Sequence, residues 1–184
     1  MRILGVDPGL NTTGYGVIDA DSQGVRLVEA GVVRGGADRS VAKRVGEIHS
    51  GVAEVIESLQ PEQVAIEELY SHYERPKTAI LMGHARGVIV LAATQASLPV
   101  NHYAATQIKK ILTGAGRAPK EQVQQAIQRE LCLDALPEPA DVGNALAIAI
   151  THWHIGCRPS TLEAYQWTLQ HTADSQQSIA ESLS

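Results

Sequence analysis

Cysteine is scarce. Cys132 and Cys157 are the only two in 184 residues, too few for a disulfide framework or a four-thiolate zinc site, so both read as ordinary free thiols. No apolar run approaches the roughly 20 residues that a membrane-spanning helix needs. The first residues, Met1 to Asp7, lack the basic stretch and the long apolar segment of a secretory leader. A reducing cytoplasm is therefore the expected setting, with no membrane partner. An internal repeat and the Gly-x-Gly-x-x-Gly signature of a dinucleotide fold are also missing. What remains, 44% hydrophobic and 19% charged, is the composition of a globular protein, and the length suits about one domain.

The net charge of −5 argues at first against a polyanionic partner, yet the charges are segregated along the chain. Between residues 71 and 129 lie Arg75, Lys77, Arg86, Lys109, Lys110, Arg117, Lys120 and Arg129 against Glu74 and Glu121, a net of +6, which leaves −11 for the rest. A basic face beside an acidic cluster suits a metal-using site that handles a polyanion. Solvated helix faces account for the same charges equally well on this ground alone.

Apolar spacing orders the elements. Strands are expected over residues 2–7, 14–19 and 25–34, separated by the turn sequences Pro8-Gly9 and Asp21-Ser-Gln-Gly24, which makes an antiparallel meander. From Ser40, an expected N-cap, Val41, Val45, Ile48, Val52, Val55, Ile56 and Leu59 recur at helical spacing as far as Pro61. Residues 63–69 read as a buried strand that ends in carboxylates. Helices are expected over 77–97, 106–113, 119–133, with Pro119 in the first turn, and 140–155, with a short strand at 99–102. The last helix is rich in Ala, Leu and Ile all round and should be buried. Residues 157–184 form a polar tail in which Leu162, Tyr165 and Leu169 hint at an amphipathic turn. The expected class is α/β, a mixed sheet flanked by helices.

Acidic residues stand where elements end: Asp7 closes the first strand, Glu67 and Glu68 the fourth, and Asp141 opens the last helix. A carboxylate at the end of a buried strand is costly to desolvate, and a divalent cation is the strongest neutraliser available to it. Carboxylates converging from separate elements hold Mg²⁺ or Mn²⁺, and two such ions suit phosphodiester hydrolysis. For Asp141 alone, an N-cap role is equally compatible. Gly9, Gly14 and Gly16 follow Asp7 as in the phosphate loop of actin-like ATPases, but those proteins need a second glycine-rich Asp motif, which this sequence lacks. A tight hairpin is the expected use of these glycines. His152 and His154 fall two apart on a helix and so diverge, which favours structural roles.

Four segments, in order, resemble the RuvC family of Holliday junction resolvases: Asp7-Pro-Gly-Leu-Asn-Thr-Thr-Gly-Tyr-Gly-Val17, Ala65-Ile-Glu-Glu-Leu-Tyr70, Gly83-His-Ala-Arg-Gly-Val88 and Ala145-Leu-Ala-Ile-Ala-Ile-Thr-His152. The resemblance spans about residues 1–154. It implies a ribonuclease-H-like five-stranded sheet over residues 1–156, a homodimer, and a Mg²⁺-dependent endonuclease that nicks a four-way DNA junction. Mn²⁺ would substitute, two ions per subunit are expected, and a branch-migration motor complex is the implied partner. The family's metal ligands fall on Asp7, Glu67 and Asp141, with the last acidic position taken by Asn144. Asn144 shares a helix face with Asp141 and can ligate through its amide oxygen, but it brings no negative charge and cannot act as a base. Glu138 is a conceivable substitute, although Pro137 and Pro139 oppose a helical placement.

The resemblance also places Tyr70 as an aromatic that stacks on bases at the junction centre, an interaction worth about 1–3 kcal/mol per base. Lys109 and Lys120 match lysines facing the scissile phosphate, with Lys120 the candidate for supporting developing charge. Arg75, Lys77, Lys110 and Arg117 are further DNA contacts on the strength of the basic segment. Arg86 has a competing reading as a buried helix residue paired with an acid, since Gly83 and Gly87 suggest close packing. Two rival readings stay open: a junction-binding form with impaired cleavage because of Asn144, and a related nuclease acting on RNA–DNA hybrids.

Overall fold

Both faces of the first strand, Arg2–Asp7 (β1), are buried, and this decides the architecture. Leu4 and Val6 pack with Val64, Ile66, Ile48, Val52 and Ile89. Ile3 packs instead with Ala65, Ile108, Ile127, Leu146 and Ile150. A strand covered on both sides belongs at the centre of a sheet between two layers of helices. The computed structural model, which describes residues 1–35, 40–69 and 76–157, has that arrangement. Tyr70, Arg75 and the tail segment with Leu162, Tyr165 and Leu169 lie outside the described residues.

The sheet runs in the order β3-β2-β1-β4-β5. Thr12–Ala20 (β2) and Val25–Arg34 (β3) form the antiparallel meander with β1, whereas Gln63–Glu67 (β4) and Val100–Tyr103 (β5) run parallel to it. Val41–Leu59 (α1) and Pro76–Gln95 (α2) cover one face; Ala105–Thr113 (α3), Lys120–Glu130 (α4) and Ala140–His152 (α5) cover the other. This is the mixed five-stranded sheet anticipated from the sequence. The Ser40 side chain accepts a hydrogen bond from the Lys43 N–H, and α1 buries Ile48, Val52, Val55 and Ile56.

Several boundaries differ from the expected ones, for local reasons. Helix α2 stops at Gln95 because Ser97 turns left-handed, with φ 58°, and α4 stops at Glu130 because Cys132 does the same at φ 51°. Pro119 is the N-cap of α4 and lies outside its first turn. The last helix changes to a π-helical turn at Trp153–Cys157. No helix among the described residues is long and apolar enough to cross a membrane.

Gly14 and Gly16 do not serve a hairpin. They lie inside β2 and, with Gly5 of β1, form a floor on which α5 rests directly. A Cβ on Gly5 would collide with the Ala145 carbonyl and stand 2.7 Å from the Ala149 nitrogen; on Gly14 it would collide with the Asp141 carbonyl; on Gly16 it would come within 2.6 Å of Leu146 Cδ2. Helix α5 is itself buried on nearly every side, from Val142 to His152. Gly14→Ala is expected to lift the start of α5, at a cost of about 1–3 kcal/mol or more. Thermal unfolding would show it as a Tm lowered by roughly 2–4 °C for each kcal/mol.

Candidate active site

Strands β1 and β4 pair in the parallel register Ile3↔Gln63 to Val6↔Ile66, so Asp7 and Glu67 leave adjacent strands at the same edge of the sheet. Alternation settles which way they point. Ile3 and Ala65 face α5, and Asp7 and Glu67 share that parity, whereas Glu68 has the opposite one and is exposed. Helix α5 starts above this edge, held there by the glycine floor. Asp141 sits in its first turn, where the helix dipole favours a carboxylate. It is not the N-cap, which is Pro139 and makes no side-chain cap bond.

One turn further on, the Asn144 amide nitrogen donates to Asp7 Oδ2 at 2.9 Å. The shared face of residues 141 and 144 is thus as expected, but it is the amide N–H₂ that meets Asp7. Glu138 is exposed and precedes the helix, so it does not take up the missing charge.

The two strand-end carboxylates resist ionisation. Burial pushes the Asp7 carboxyl up; the Asn144 hydrogen bond opposes the shift, Asp141 adds to it and Lys120 opposes it. Glu67 is pushed up to about 7 by burial and by the neighbouring Asp7, against the pull of Lys109. A cleft of about 280 Å³ opens beside them, lined by Glu67, Lys109, Lys120, Gln124, Gly143 and Asn144 among others. Gln124 went unnoticed in the sequence, although it lies one helical turn after Lys120. Lys77, Lys110 and Arg117 are exposed and take no part in the lining.

Arg86 departs from expectation. It is partly exposed and bonds the Glu67 carbonyl and His102 Nδ1 rather than an acid. Gly87 has open space around it and Gly83 only Leu69 at 3.9 Å, so neither marks a tight crossing. His152 is buried between the Tyr103 hydroxyl, 2.6 Å from Nδ1, and Gln63 Oε1, 2.8 Å from Nε2. His154 pairs with Glu130 at 3.1 Å, so the two histidines diverge as their spacing requires.

The family model for crossover junction endodeoxyribonuclease RuvC matches residues 3–152. The chain belongs to the RuvC family. It is 50% identical over 157 residues to the crossover junction endodeoxyribonuclease RuvC of Rhodopirellula baltica, covering 85% of this chain and 88% of that one. Against the Moorella thermoacetica protein of the same description it is 44% identical over 152 residues, covering 83% and 90%. Its fold is similar to that of Thermus thermophilus RuvC in complex with Holliday junction substrate, with a TM-score of 0.77, 37% identity, and 83% and 92% of the two chains covered.

RuvC proteins are metal-dependent endodeoxyribonucleases, and the donors present here fit a hard divalent cation in kind. They are oxygens, and two half-buried carboxylates press on each other with no hydrogen-bonded cation between them among the described residues. Among the described residues no three His, Cys, Asp or Glu side chains share one ligating point, so the carboxylates stand as neighbours rather than as a closed cage.

Burial, with the neighbouring Asp7 adding to it, gives the Glu67 carboxyl a pH signature. Below the ordinary Glu67 value of 4.5, both folded and unfolded chains carry its proton; between 4.5 and about 7 only the folded chain does. Stability of the cation-free protein from this group is therefore full below 4.5 and is lost as pH rises through about 7. Glu67→Gln is expected to raise the Tm of cation-free protein at pH 8, by roughly 2–4 °C per kcal/mol relieved, and to leave it nearly unchanged at pH 4. Differential scanning calorimetry at the two pH values checks this.

Proposed function

We propose that the chain resolves four-way DNA junctions by paired, symmetric, cation-dependent nicks during recombination and repair. The observation that carries this reading is the juxtaposition of Asp7 and Glu67 on parallel strand ends under Asp141 and Asn144, with Lys109 and Lys120 beside them. Asp7, Glu67 and Asp141 would hold Mg²⁺, or Mn²⁺ in its place, two ions per subunit, with Asn144 completing the set. Cations held by these residues would supply an activated water and charge stabilisation at the departing oxygen of the phosphodiester.

The chain's own groups do the rest. Asn144 orients Asp7 through its amide. Lys120, whose charge reaches Asp7, supports negative charge developing on the phosphate. Lys109 partly offsets the repulsion at Glu67. Arg75, Lys77, Lys110 and Arg117 supply phosphate contacts that position the DNA without reading sequence, and Tyr70 stacks on a base. The nuclease domain is residues 1–156.

A homodimer would match the two-fold pseudo-symmetry of the junction. Its support here is an exposed stripe on α2, where Ile80 is 62% and Leu91 48% exposed and Gly87 leaves open space between them. Action in the cytoplasm beside a branch-migration motor completes the reading.

The experiment is cleavage of a four-way junction with a mobile core in Mg²⁺ and in Mn²⁺, beside a gel shift in chelator. Symmetric paired nicks are expected; preference for an RNA–DNA hybrid duplex, or neither binding nor cutting of the junction, would overturn the proposal. Asn144 supplies a second test. Asn144→Asp restores the fourth acidic group and is expected to speed nicking by on the order of 10-fold or more, with junction affinity in chelator within about two-fold of the parent. An equal or slower rate would mean that the neutral amide is the better partner for Asp7.

A further inference from the structure

Strand β4 ends at Glu67, at the point where its ladder to β1 runs out. Pairing between the two strands stops at Val6↔Ile66, and the residue after Asp7 is Pro8, which has no N–H to offer. On the other side the Glu68 N–H bonds the Tyr103 carbonyl at 2.9 Å. The Glu67 carbonyl is met from α2: Arg86 Nε donates to it at 3.2 Å. A second arm of the same guanidinium, Nη2, lies 2.7 Å from His102 Nδ1 on β5. The residues flanking Arg86 on its helix are anchored, with Ala85 and Ile89 fully buried in the core beneath the sheet.

We infer that Arg86 is a positioning residue for the nuclease reaction, clamping the main chain of Glu67 between α2 and β5 so that its carboxylate stays beside Asp7. This rests on the junction-resolving reading of the site. The effect is one of geometry, because the cation whose charge reaches the Glu67 carboxylate is Lys109. A planar guanidinium makes the two bonds at once, at a fixed angle; an ammonium does not. Lysine at this position therefore keeps the charge and loses the clamp.

The test compares wild type, Arg86→Lys and His102→Leu in three measurements: Mn²⁺ binding to DNA-free protein by calorimetry, junction affinity against salt in chelator, and single-turnover nicking of pre-bound junction. For Arg86→Lys, both Mn²⁺ affinity and nicking are expected to fall by about 10–100-fold, with junction affinity and its salt slope unchanged. His102→Leu, which leaves Arg86 in place but removes one arm's partner, is expected to move the same two quantities by less. It also keeps the question answerable if Arg86→Lys unfolds.

A drop in junction affinity with the salt slope flattened by about one would make Arg86 a phosphate contact and overturn the inference. So would full nicking by Arg86→Lys, or wild-type behaviour in both variants. Failure of the wild type itself to bind or nick the junction would instead overturn the function on which the inference rests.

Discussion

Helix α5 can lie against the sheet only because nothing stands between its backbone and that of β1 and β2. Gly5, Gly14 and Gly16 remove the side chains that would hold it away, and at Gly5 and Gly14 the nearest contacts are main-chain atoms of the helix, which cannot rotate aside, while at Gly16 the Leu146 side chain fills the space. The position of the helix start follows, and with it the position of Asp141 and Asn144 over the strand ends. Stability and site geometry thus draw on the same contact. The all-round burial of α5 is the other side of this arrangement, since a helix pressed into the sheet and covered by α3 and α4 has no face left for water.

On that scaffold the protein brings like charges together in a half-buried place. Asp7 feels Asp141, and Glu67 feels Asp7, while the opposing influences, the Asn144 amide and the lysines 109 and 120, come from helices on the same side of the sheet. A site so arranged is poised for a cation. Its neutral member matters for that reason: Asn144 contributes a hydrogen bond to Asp7 where an acid would have contributed further repulsion. The arrangement trades cation affinity against ease of folding without cation, and the amide sits on the folding side of that balance.

Much of this was legible in the residues. Val41 to Leu59 announced a helix by spacing, the carboxylates at the ends of apolar runs announced a desolvated site, and the Asp141 to Asn144 interval announced a shared face. The glycines were misread because a glycine close to a turn looks the same whether it serves the hairpin or makes room for a distant helix, and the partner of Gly14 is 127 positions away. Asp141 was ambiguous for a similar reason, since an acid at a helix start caps it or stands in its first turn according to where the preceding proline falls. Arg86 was misjudged because its partners are a carbonyl and a β5 histidine rather than an acid, and main-chain acceptors leave no trace in side-chain pattern. Helix ends at Gln95 and Glu130 were overrun because left-handed Ser97 and Cys132 are set by tertiary fit rather than by residue type.

The bond between Asn144 and Asp7 joins residues 137 apart, and this has a meaning for the order in which the protein is made. Asp7 and Glu67 emerge from the ribosome early, within strands that can already pair through β1 and β4. The helix that supplies Asp141 and Asn144 is the last of the described α-helices to appear, and at roughly 5–20 residues per second it follows Glu67 by several seconds. On the proposed reading, a nascent chain of this protein carries Asp7 and Glu67 well before Asp141 and Asn144, so the candidate site is complete only once α5 has been made and settles on its glycines.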